Sequence, residues 1–147
     1  MTETKTVPPS APSALASAPA LVEKDDLAAL FRAEGAHRAD GSPRVDDVVA
    51  AFSSAGVPVL GLRQHLAKPF GATYCAGAEA AEGVVLSLCE YASAEAAVKG
   101  RSDSAKSLAT IPNRQVMQNG TTTLTLRERE RTSRSQVVVS TLRHAFE

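Results

Sequence analysis

Asn119-Gly120 stands between two β-prone runs, Arg114 to Gln118 and Thr121 to Arg127. Both residues accept positive φ, so the pair reads as a tight hairpin turn and makes the flanking runs antiparallel neighbours. A second hairpin is expected upstream. Thr73 to Ala78 and Val84 to Tyr91 are strand-like, and the segment AEAAEG between them ends on a glycine suited to the left-handed position of a short loop. Before these, Pro58 starts the extended stretch VPVLGLRQHL, which Lys68-Pro69-Phe70-Gly71 breaks. Every link between strands is short. A chain built this way folds as a mostly antiparallel sheet of about five strands.

Helical spacing fills the rest. Leu21 to Glu34 places Leu27, Leu30 and Phe31 on one face, with Gly35 as the stop. Arg44 to Ala55 repeats the pattern with Val45, Val48, Val49 and Phe52, and Gly56 ends it. Ser93 caps a third helix through Lys106, with Ala94, Ala97, Val98 and Ala105 inward. Gly100 inside it costs about 1 kcal/mol against alanine, so this helix is expected to be weak or to end early. Thr132-Ser133 opens a last helix, in which Ser133-x-x-Gln136 fits a capping box and Val138, Leu142, Ala145 and Phe146 form the inward stripe. The expected fold is α+β, a two-layer sandwich with helices on one face of the sheet.

Residues 1–20, MTETKTVPPSAPSALASAPA, hold four of the eight prolines and almost nothing to bury. They read as a disordered Pro/Ala/Ser-rich tether, leaving residues 21–147 as a single α+β domain.

The two cysteines, Cys75 and Cys89, lie one on each arm of the upstream hairpin. Opposed residues in a hairpin have a constant index sum. If Ala80 and Val84 close the loop the sum is 164, and Cys75 falls opposite Cys89. Opposed Cβ atoms lie about 4.5–5.5 Å apart, near what a disulfide needs, whereas a slip of one residue would forbid the bond. Geometry permits the staple without requiring it. Two reduced, buried cysteines or a metal or redox pair remain alternatives. No CxxC occurs, and His37, His65 and His144 are scattered. His65 is placed to approach the hairpin from the neighbouring strand, with Met117 as a softer partner, yet no metal and no cofactor is expected.

Charge excludes one class of function. The net charge is zero, which argues against a protein that works by gripping nucleic acid. The distribution is uneven: Leu21 to Phe52 carries seven acids and four bases, and Arg114 to Glu147 six arginines and three glutamates. In TLTLRERERTSR, Leu124 and Leu126 face the core of a strand while Arg127, Arg129 and Arg131 face away. Three arginines on one face suit an anion or an acidic partner. No nucleophile elbow, Walker loop, HExxH or dinucleotide-binding glycine motif is present. Glu90 stands where a strand meets a helix cap, a place where such a residue usually caps the helix or meets an arginine. An aromatic share of 4% with no tryptophan disfavours a base-stacking or sugar-stacking platform.

The segments AFSSAGVPV (51–59), CEYASAEAA (89–97) and NGTTTLTL (119–126) resemble small bacterial envelope lipoprotein-type domains of unknown function. The likeness spans Val45 to Glu147, and the Pro/Ala/Ser segment is similar to the spacer that follows their lipidated cysteine. The resemblance implies an extracytoplasmic home and supports a disulfide. It carries no functional residue. No run reaches the roughly 18 apolar residues of a membrane helix, and Lys5 is not followed by a signal-peptide core. If Met1 is the native start, the chain reads as cytoplasmic. If an export signal precedes it, the periplasm or cell envelope is expected, with membrane contact only through an N-terminal lipid anchor outside this chain. The expected function is a non-enzymatic binding domain, stapled by Cys75–Cys89, whose partner is a protein or small ligand of the envelope. The alternative is a cytoplasmic thiol redox or metal-binding protein using the same two cysteines.

Overall fold

The structure is a computed structural model that describes residues 24–147. The expected tether, residues 1–20, and the first residues of the expected first helix lie outside the described residues. In chain order the elements are α1 (Lys24–Ala36), α2 (Val45–Ser54), β1 (Leu60–His65), β2 (Tyr74–Glu79), β3 (Val84–Glu90), α3 (Ala94–Ser107), β4 (Arg114–Asn119), β5 (Thr122–Glu128) and α4 (Ser133–Phe146). Short 3-10 turns at Lys68–Phe70 and Ala81–Gly83 link β1 to β2 and β2 to β3.

The fold is α+β, as the turn chemistry predicts. The five strands form one sheet in the order β1-β2-β3-β5-β4, and every neighbouring pair is antiparallel. A three-stranded meander, β1-β2-β3, and the β4-β5 hairpin therefore meet along β3 and β5, and α3 supplies the link between them. Asn119-Gly120 turns β4 into β5, with Gly120 at φ +55°. Gly83 takes the left-handed position of the upstream loop, at φ +69°. Ser42 folds under the downstream turn: its carbonyl accepts from Thr121 N at 3.1 Å and stands where a Cβ on Gly120 would go.

Alternation along β3 divides the sheet into two faces. Val84, Leu86 and Leu88 meet Leu124 and Leu126 of β5 and Ala76 and Ala78 of β2 on one face. Val45, Val48 and Phe52 of α2 and Val138, Val139, Leu142 and Phe146 of α4 cover them, forming the main core. α1 joins through β1, where the Gln64 side-chain amide donates to Phe31 O at 2.8 Å. The opposite face carries a smaller cluster of Ala67, Cys75, Cys89, Tyr91 and Ala97, against which α3 leans. α3 also runs over β4 on this face, where its Ala94 and Ser104 carbonyls accept from Gln118 Nε2 at 3.2 Å and Arg114 Nη1 at 3.1 Å; among the described residues the part over β1 and β2 is left open.

Two helices differ from expectation in detail. α3 does not end at Gly100, and its inward side is Ala97 and Gly100 rather than an alanine–valine stripe; Val98 is 51% exposed. Tyr91 explains why. Its ring is wedged against the helix backbone, and a Cβ on Gly100 would fall within the ring edge and hydroxyl. Only glycine leaves that space. In α4 the cap lies one residue earlier than expected: Thr132 Oγ1 accepts from Ser135 N at 3.0 Å, and Ser135 Oγ accepts from Thr132 N at 2.8 Å. Ser135 replaces Gln136 in the box, because its hydroxyl also donates at 2.6 Å to the buried Glu128 carboxylate.

Candidate functional site

The upstream hairpin sets the site. Ala80 N donates to Val84 O at 2.8 Å, so these two close the loop and the index sum is 164. Counting down the ladder, Cys75 and Cys89 occupy a non-hydrogen-bonded pair, the closer kind, for which Cα atoms approach to about 4.5 Å. The observed separation is 4.2 Å and the sulfurs are bonded. Both cysteines are buried.

His65 is the register partner of Cys75 on β1, so His65, Cys75 and Cys89 form a row across three neighbouring strands. The imidazole reaches over Gly77, with Cδ2 3.7 Å from where a Cβ would stand. Its Nε2 lies 2.8 Å from Ser87 Oγ and its Nδ1 3.4 Å from Leu66 O. A carbonyl can only accept, so in the neutral ring Nδ1 is the donor to Leu66 O and Nε2 the acceptor from the Ser87 hydroxyl. Phe70 meets the ring edge-on, at a centroid distance of 5.6 Å. The turn holding Phe70 is anchored by Glu34, whose carboxylate accepts from Ala67 N at 2.9 Å and Lys68 N at 3.2 Å. Met117 does not join the row. It pairs with Leu124 and so faces the helical layer, on the other side of the sheet from His65.

Glu90 is committed to structure. Its carboxylate accepts from Arg38 Nε at 3.0 Å, from Arg38 Nη2, and from Val45 N at 2.8 Å at the start of α2. Arg38 also meets Asp46 at 2.9 Å and lies 4.1 Å over the Tyr74 ring. The hydrogen bond to Glu90 holds the Arg38 guanidinium above its ordinary range, despite the opposing cost of burial. Glu90 thus both caps a helix and meets an arginine. The helix it caps is α2, which precedes it in the chain, not α3. Arg38 itself, in a stretch that reads as plain loop, was not legible as a partner.

The three arginines of the late strand are not brought together. Arg127 lies on the second face, opposite Val85 and Arg114. Arg129 follows the end of β5 and pairs with Glu79. Arg131 lies on the helical side, lining a small cavity with Glu128, Gln136 and Val139. Between them Glu128 points inward and is buried, so it does not temper the field of Arg127 as an exposed carboxylate would.

What the second face offers instead is an open groove of about 530 Å³, lined by Leu60, Arg63, His65, Gly77, Glu79 and Val85. Ser87 and Thr125 continue the row of Arg63 and Gly77, and Arg127 and Arg114 continue the row of Glu79 and Val85. Among the described residues neither Arg63 nor Arg127 forms an ion pair. Comparison with protein-family models, curated proteins and solved structures finds no match to this chain.

Proposed function

We propose that this chain is a non-enzymatic, extracytoplasmic binding domain, stapled through Cys75–Cys89, that takes an anionic protein segment or small ligand of the cell envelope in the open groove of its second sheet face. The observation that carries the reading is the buried cystine. Such bonds persist in oxidising compartments and are rare where thiol reductants prevail. The likeness of residues 51–59, 89–97 and 119–126 to envelope lipoprotein-type domains supports the same home. No helix among the described residues is long and apolar enough to cross a membrane. Arg63 and Arg127 favour an acidic ligand over a neutral one.

The test is thiol trapping in the native cell. Cells are quenched in acid, alkylated before and after reduction, and fractionated. The expected result is envelope-associated protein that resists alkylation until reductant is added. Cytoplasmic protein with two thiols already alkylated would overturn the reading.

A further inference from the structure

The geometry points to a second state of the same row: with Cys75 and Cys89 reduced, His65, Cys75 and Cys89 form a three-ligand site for zinc or a similar thiophilic divalent cation. A ring nitrogen of His65 and both sulfurs already lie within 4.8 Å of one another. The histidine is in the register position beside Cys75, so no strand has to move to bring it in. Tetrahedral zinc takes sulfur at about 2.3 Å and imidazole nitrogen at about 2.0–2.1 Å, which sets its two sulfurs about 3.8 Å apart. Opposed cysteines on neighbouring strands reach that separation by side-chain rotation once their bond is broken.

The surroundings fit the role. Leu66 O beside Nδ1 suits the tautomer with its hydrogen there, which leaves the Nε2 lone pair on the ring edge beside Ser87. Ala67, Tyr91 and Ala97 close the other side of the cysteine pair with apolar surface. The fourth position falls to the Ser87 hydroxyl or to solvent. Electrons and protons balance: a dithiol reductant gives two electrons and two protons to the cystine and becomes a disulfide itself. Metal binding then displaces the two thiol protons to solvent. The site forms only where a dithiol reductant reaches the cystine, and its failure would leave the binding-domain reading intact.

The experiment uses the full 147-residue chain. It is reduced with a phosphine under nitrogen, freed of reductant, and titrated with zinc against a chromophoric chelator, with cobalt(II) in parallel. One metal per reduced chain is expected, with a thiolate-to-cobalt charge-transfer band and tetrahedral d–d absorption. The oxidised chain should give neither. His65→Ala should weaken zinc by at least about tenfold, and His65→Cys, which supplies a thiolate at the same place, should restore tight binding. Circular dichroism of each variant checks the fold. Failure of reduced, folded wild-type protein to compete with the chelator would overturn the assignment. So would zinc affinity unchanged in His65→Ala.

Discussion

Gly100 and Arg38 show how single residues acquire meaning only from their neighbours. In an exposed helix interior, Gly→Ala stabilises by up to about 1 kcal/mol. Here the sign reverses, because the added methyl meets the Tyr91 ring, which is only 2% exposed. Gly100→Ala is expected to destabilise by about 1–3 kcal/mol, the usual cost of overpacking, read as a lower urea midpoint. A raised midpoint would show that the ring yields freely. Arg38→Ala leaves Glu90 buried with one main-chain donor and no cation. Breaking such a pair costs about 3–5 kcal/mol, and the lower end is expected since 16% of the Arg38 side chain still meets water. Glu90→Gln in the Arg38→Ala background should recover part of that loss, because the uncompensated charge is gone. Neither residue was legible beforehand. Gly100 scores badly on propensity, and Arg38 lies 52 residues from its carboxylate, a separation no local pattern spans.

At the level of elements, what the sequence specified was turn chemistry. Asn119-Gly120 and the loop closed by Ala80 and Val84 are local events, so strand pairing and the register of the cysteines followed from them. Which face each helix covers did not follow. α3 crosses to the second face because Tyr91 turns away from the main core, and parity alone does not choose a side for a connecting helix. The cap of α4 slipped by one residue for a tertiary reason, the carboxylate of Glu128 waiting at the end of β5. That dual duty is testable. Thr132→Ala removes one cap bond and should cost about 1 kcal/mol. Ser135→Ala removes the reciprocal bond and also the donor to Glu128, so it should cost about 1–3 kcal/mol. Equal losses in a thermal denaturation comparison would mean that Glu128 finds another donor.

For the whole molecule the cystine ties β2 to β3 near the centre of the sheet. It closes a loop with a sequence separation of 14, for which chain entropy predicts about 3 kcal/mol of stabilisation. Reduction should lower the denaturant midpoint accordingly while leaving the secondary structure intact, since both cores remain packed. Loss of the sheet on reduction would show that the helical layers alone do not hold it. The arginine trio was the least legible part. Period-two alternation holds only while the strand lasts, and β5 ends at Glu128, before two of the three. One arrangement has a practical consequence for following these changes. The chain has no tryptophan and two tyrosines: Tyr74 packs against the main core beneath Arg38, and Tyr91 belongs to the cystine cluster on the reverse side. Each layer thus carries its own tyrosine, and a Tyr→Phe change at either position leaves a tyrosine signal that comes from the other layer.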